Sequence, residues 1–179
     1  MKKLLQTGDL APSFLTRDIH GNIVSTFQND KWVFISFHRF AACPFCALRA
    51  HELIKNHQKF MEMNIDIISI WPSSKRNMLK YVGSNTSPFP LIADSEKDIY
   101  IKYKVTKSSI WGTVSTMLHF KILISALKYK YNDINIDANP NLLPAEFLIN
   151  TNREIVLAHY GSHFGDHVDI DHLLALASK

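Results

Sequence analysis

Trp32-Val33-Phe34-Ile35-Ser36-Phe37-His38-Arg39-Phe40-Ala41-Ala42-Cys43-Pro44-Phe45-Cys46 is the stretch whose reading decides how this chain folds. Its first six residues form a short apolar, β-rich run of the kind that makes a buried strand. Beyond the cysteines, Leu48, Leu53, Ile54 and Phe60 recur among Arg49, His51, Glu52, Lys55 and Lys59, as an amphipathic helix requires. Cys43 and Cys46 therefore sit where a strand hands over to a helix. They are the two cysteines of the chain, and no second pair accompanies them to complete a zinc site. In a reducing compartment such a pair reads as a redox dithiol and not as a structural bridge.

That position has a chemical consequence. Free amides and the dipole at a helix start favour a thiolate over a thiol and pull a cysteine down from its usual pKa of about 8.5. Pro44 suits the first helical turn, where its missing N–H would have had no partner. Arg39 and Arg49 lie close enough in sequence to add positive charge. A thiolate so placed attacks a disulfide or a peroxide, and a second sulfur within reach then closes an intramolecular disulfide.

The rest of the chain bounds this reading. It has 179 residues, 46% apolar and 20% charged, with a formal charge of +4, an ordinary globular balance that predicts one domain over 1–179. Disulfide-dense and disordered classes are excluded. No apolar run reaches the roughly 18 to 20 residues that span a bilayer, since Met117 to Leu127 is interrupted by His119 and Lys121. The basic start Met1-Lys2-Lys3 meets polar residues where a signal peptide needs an apolar core, so the protein is placed in the cytoplasm. Residues 97–130 carry seven lysines and one acid, Asp98, for a local +6. This is too diffuse for a nucleic-acid surface and reads as a solvated lysine face.

Asp18-Ile19-His20-Gly21-Asn22-Ile23-Val24 predicts a β-hairpin near the start. Ile65 to Ile70 reads as a second central strand ending at Trp71-Pro72. Ser73 and Ser74 offer an N-cap for a helix to about Val82, ended by Gly83. Phe89 to Ile92 is a short strand and Ser95 to Tyr103 a helix. Residues 109–131 read as a long helix whose face of Trp111, Phe120 and Ile124 packs on the domain, with a dimer contact or a membrane surface as the alternative. Glu146 to Ile149 and Glu154 to Ala158 form a hairpin, and Asp169 to Lys179 closes the chain as a helix. Alternating strands and helices argue for an α/β class. With Pro144 ahead of the late hairpin, the order resembles the thioredoxin fold: a central mixed β-sheet flanked by helices, with an amino-terminal hairpin and an inserted long helix.

Several motifs resemble the alkyl hydroperoxide reductase and thiol-specific antioxidant (AhpC/TSA) superfamily, in its peroxiredoxin-like branch. These are Gly8-Asp9-Leu10-Ala11-Pro12-Ser13-Phe14, Phe37 through Cys46, Pro144 through Ile149, and Tyr160-Gly161 followed by Gly165-Asp166-His167. The resemblance implies a thiol-dependent oxidoreductase with an antioxidant role that reduces hydroperoxides or disulfides, needs no metal or other cofactor, and is recycled by a thioredoxin- or glutathione-type reductant. Its implied site residues are Cys43, Cys46, Arg39 and Pro144. Where ordinary peroxiredoxins have a proline, a threonine and a late arginine, this chain has Arg39, Cys43 and Pro144; the last resembles the cis-proline that faces the dithiol in thioredoxins. By analogy with thioredoxin, Cys43 is the exposed attacking thiolate and Cys46 resolves; by analogy with peroxiredoxin the order is reversed. Arg39 is the candidate to stabilise the thiolate.

Other groups receive structural readings. His159, His163, His167 and His172 crowd the carboxyl end with Asp166, Asp169 and Asp171, but their irregular spacing argues for loop and helix-start roles over a zinc site. Asp166 or His167 could favour the last helix start. Glu146 is placed on an exposed strand position, with a proton-acceptor role as the alternative if it is buried. A glutaredoxin-like disulfide reductase, and a non-catalytic interaction protein using 109–131, are the competing functions.

Overall fold

The computed structural model describes residues 3–27, 30–82, 87–105 and 134–178. Gly83 and the long helix read over 109–131 lie outside the described residues. A small antiparallel hairpin, β1 (Leu15–Arg17) and β2 (Ile23–Ser25), leads into β3 (Trp32–Phe37), α1 (Pro44–Glu62), β4 (Ile65–Trp71), α2 (Lys75–Tyr81), β5 (Leu91–Ala93), α3 (Asp98–Lys102), β6 (Ala145–Ile149), β7 (Ile155–Tyr160) and α4 (Ile170–Ala177). The five longer-range strands form one mixed sheet in the order β5-β4-β3-β6-β7. β3 is its centre, parallel to β4 and antiparallel to β6. A strand so placed is covered on both faces, which explains its nearly unbroken apolar run.

The period of two then sorts β3 between two cores. Phe34 faces α1, its ring 5.6 Å from that of Phe60, in a core with Leu53, Ile65, Ile67, Trp71 and Leu173. Val33, Ile35 and Phe37 face the other way. There Phe37, Tyr100, Tyr103, Phe147 and Tyr160 pack largely edge to face, with centroids 5.0 to 5.8 Å apart, near the preferred geometry for aromatic pairs. Tyr100 also anchors the end of β3, its hydroxyl lying 2.6 Å from the His38 carbonyl oxygen.

The helix ends follow their local chemistry. Ser74 caps α2 by accepting from the Asn77 amide. Asp169 caps α4 by accepting from the His172 amide, so the cap comes from neither Asp166 nor His167. Asp94 accepts from the amides of Asp98, Ile99 and Tyr100 and holds the first turn of α3.

Gly161, just past β7, carries a packing constraint. Its amide donates to the Pro144 carbonyl at 2.9 Å, and a Cβ there would stand 2.8 Å from Pro144 Cγ and 2.9 Å from the Asp166 carbonyl oxygen. Backbone cannot yield as a flexible side-chain end can. Gly161→Ala is therefore expected to destabilise the protein by about 1–3 kcal/mol, the usual cost of overpacking, measured by urea unfolding.

Candidate active site

Cys43 is the N-cap of α1 in extended conformation, Pro44 is the first helical residue, and no acid occupies the first turn. The Cys43 amide donates to the Phe40 carbonyl, closing a tight turn between β3 and α1. This turn places both sulfurs at the end of the helix that carries partial positive charge. Arg39 reaches both. Its backbone N–H donates to Cys46 Sγ and its Nη1 to Cys43 Sγ, each at 3.2 Å.

The two thiols are consequently driven apart in acidity. Burial alone would raise Cys43, but the Cys46 thiol hydrogen-bonds to its sulfur, the Arg39 charge adjoins it, and the amides of Cys46 and Phe45 point at it, so it is lowered to about 6. Burial, the bond to Cys43 and the neighbouring Cys43 charge push Cys46 well up. One sulfur is thus held as thiolate and the other as its proton-bearing partner. Neither is exposed: both have 0% accessible surface, in contrast to the exposed thiolate of the thioredoxin analogy. The cover is not purely apolar, because the Arg39 guanidinium and helix amides form part of it.

Arg39 is itself 95% buried. Its Nε donates to the Leu142 carbonyl at 2.9 Å and its Nη2 to the Pro140 carbonyl. Its Cζ lies 3.4 Å from the centroid of the Phe164 ring and 5.3 Å from that of Phe40. Carbonyls and rings compensate the loss of water while leaving the cationic charge undiminished.

Beneath α1 runs a second charged centre. In the sheet register Ser69, Ser36, Glu146 and His159 stand in one row across β4, β3, β6 and β7. Glu146 is fully buried, which corrects its placement on an exposed strand position. It accepts from Arg49 Nε and Nη2 at 2.8 and 3.0 Å, from the Val168 amide at 2.8 Å and from Ser36 Oγ at 3.2 Å, and it contacts His167 Nδ1 at 3.1 Å. Burial would raise its carboxyl, but Arg49, His167 and these bonds hold it well below the usual range. Arg49 also donates to Glu52 and to the Val168 carbonyl. Arg49 is thus placed in this network, and its side chain makes no hydrogen bond to the sulfurs.

His38 shares the α1 face with Ser36, two residues earlier. Its ring is stacked on Trp71 at 3.9 Å and 10°, and neither ring nitrogen has a hydrogen-bond partner among the described residues. Burial, with His167 and Arg49 nearby and Glu146 opposing, keeps it neutral well below its ordinary pKa. The network and the Phe164 contact were not legible in local motifs. Ser36, polar in an otherwise apolar strand, is the one local signal of a buried partner.

No peptide bond among the described residues is cis, so Pro144 departs from the expected cis-proline. The trans form is the cheaper one by about 0.5–1 kcal/mol, and here the Pro144 carbonyl serves Gly161 while its ring packs on that glycine. The carboxyl-terminal histidines divide between separate carboxylates, His159 on Asp166 at 3.1 Å and His167 on Glu146. Asp166 also accepts from the Ser162 amide and hydroxyl, both at 2.7 Å, closing the loop after β7.

Two stability measurements follow from these charges. Glu146→Gln leaves the buried Arg49 charge with the half-exposed Glu52 as its remaining countercharge and is expected to cost about 3–5 kcal/mol, as read by urea unfolding of the variant beside the wild type. Cys43, lowered to about 6 in the fold against about 8.5 unfolded, binds fewer protons folded than unfolded across that window. The stability of the reduced protein therefore rises with pH through it and is lost as pH falls through the folded value. Cys43→Ser flattens the rise.

Residues 7–158 match the AhpC/TSA family. Peroxiredoxin 2 of Picrophilus torridus is 25% identical over 113 residues, covering 60% of this chain and 56% of that protein. Peroxiredoxin Bcp of Bacillus subtilis is 25% identical over 104 residues, covering 58% and 66%. The chain thus spans less than two thirds of these relatives' lengths. The crystal structure of peroxidoxin BcpB from Mycobacterium tuberculosis superposes with a TM-score of 0.70 over 97% of both chains at 17% identity, which establishes the shared thioredoxin-like fold. A match running through the dithiol turn, both cores and the late hairpin makes this chain a member of the AhpC/TSA family.

Proposed function

We propose that the chain, acting as a single domain, is a thiol-dependent peroxidase in which Cys43 is the nucleophile and Cys46 the resolving thiol. The observation that carries this reading is the Cys43 sulfur held between Arg39 Nη1 and the amides of α1, with the protonated Cys46 beside it. The Cys43 thiolate attacks the terminal oxygen of a hydroperoxide. The O–O bond breaks, the departing alkoxide or hydroxide takes up a proton, and Cys43 becomes a sulfenic acid. The Cys46 sulfur then attacks the Cys43 sulfur, an S–S bond forms and water leaves. A thioredoxin- or glutathione-type thiol reductant returns the pair to the dithiol and is itself oxidised to a disulfide.

The same attack on a disulfide would release a thiolate and leave a mixed disulfide, which Cys46 would resolve. Full burial of both sulfurs favours the small oxidant over a protein disulfide. Arg39 stabilises the thiolate in this scheme, and Pro144 acts at one remove by seating the turn at Gly161. The reaction uses no metal or cofactor. We place it in the cytoplasm, where thiol reductants are available; among the described residues no helix is long and apolar enough to cross a membrane. A homodimer is compatible with the reading.

One equivalent of hydroperoxide should leave the reduced wild-type protein with an intramolecular disulfide, Cys46→Ser with a sulfenic acid on Cys43, and Cys43→Ser unmodified, as read by mass spectrometry. The rate of the first step should climb through about pH 6 and level off above it, following the Cys43 thiolate. Sulfenic acid on Cys46 of the Cys43→Ser variant would reverse the roles, and no modification of any form would remove the peroxidase assignment.

A further inference from the structure

Arg39 meets the Cys43 sulfur through one nitrogen only, Nη1 at 3.2 Å. Nε and Nη2 are committed to the Leu142 and Pro140 carbonyls, which fixes the guanidinium edge but leaves its faces to be held. An arginine carries about 2 kcal/mol of rotamer entropy when nothing holds it. The Phe164 ring covers one face, 3.4 Å from centroid to Cζ. Phe164 also lies 6.5 Å from the ring of Phe45, inside the dithiol turn itself.

The loop that presents Phe164 is built to hold that ring in place. At one end the Gly161 amide bonds to Pro144, and at the other the Val168 amide bonds to Glu146. Between them Asp166 clasps Ser162, and His159 of β7 contacts Asp166. These bonds fix the loop on both sides of Phe164, whose ring lies over the guanidinium. Stacking of this kind orients a cation without neutralising it.

We propose that Phe164 is a positioning residue for the dithiol, its aromatic face holding the Arg39 guanidinium against the Cys43 sulfur. The proposal rests on Cys43 being the nucleophile. The charged and titratable groups that act on this sulfur are Arg39 from the β3–α1 turn and Cys46 from α1; Tyr100 from α3 acts on Cys46, His163 and Asp166 act on each other within the Phe164 loop, and Arg49 and Glu146 form their own pair under α1. Of these, Arg39 is the group whose placement depends on the ring.

The test is peptide-resolved alkylation of Cys43 in the intact reduced protein by iodoacetamide as a function of pH. Wild type should show a midpoint near about 6. Phe164→Leu keeps an apolar cover and removes the aromatic face, so its midpoint should rise by about 0.5 to 1 unit, the size of a partly desolvated cation–π contact. Phe164→Trp should retain the wild-type midpoint. Phe164→Met supplies the same comparison should the leucine variant fail to fold. An aliphatic variant with the wild-type midpoint overturns the role of Phe164 while leaving the proposed function standing. A wild-type midpoint in the ordinary thiol range overturns both.

Discussion

The bidentate ion pair between Arg49 and Glu146 is the constraint on which the site is assembled. It joins the second turn of α1 to the centre of the sheet, and the same carboxylate receives the Val168 amide from the loop ahead of α4. Three segments that contribute to the dithiol environment are thereby tied to one fully buried acid: β3 through Ser36, α1 through Arg49, and the 161–168 loop through His167 and Val168. A charge in such a place is tolerable only when its lone pairs are filled and its countercharge is fixed. Both conditions are met within hydrogen-bonding distance.

Arg39 repeats this arrangement for a different anion. Where Arg49 neutralises a permanent carboxylate, Arg39 is offered to a sulfur that carries charge only when its thiol is ionised. Its other side-chain hydrogen bonds among the described residues go to neutral carbonyls, so no described acid matches its charge. The two arginines divide labour about one helix, Arg49 on it and Arg39 in the turn before it. One secures α1 to the sheet, and the other acts at the N-cap, where helix amides add to its effect. Cys43 and Cys46, three residues apart, experience this field so differently that one is lowered and the other raised.

The covered dithiol and its aromatic neighbours belong to the same logic. Excluding water strengthens the Arg39–sulfur attraction, and Phe40 and Phe164 exclude it without competing for the guanidinium as a carboxylate would. Gly161 permits the close approach of β7's end to Pro144 that brings this loop over the dithiol.

The strand from Trp32, the helix from Pro44, the dithiol at their junction, the hairpins and the closing helix were all legible in the residues alone, because each rests on a local signal: period two, period 3.6, a cap residue or a turn residue. Arg39 was legible as a neighbour of the sulfurs for the same reason, standing only four residues from Cys43. Tertiary structure alone decided that Glu146 is buried, that Arg49 serves it in preference to the sulfurs, that Pro144 is trans, and that Phe164 covers Arg39. The Arg49–Glu146 pair and the Phe164–Arg39 contact join residues roughly a hundred or more positions apart through strand register and loop docking. A partner supplied from a distant strand leaves no periodic trace beside the residue it satisfies.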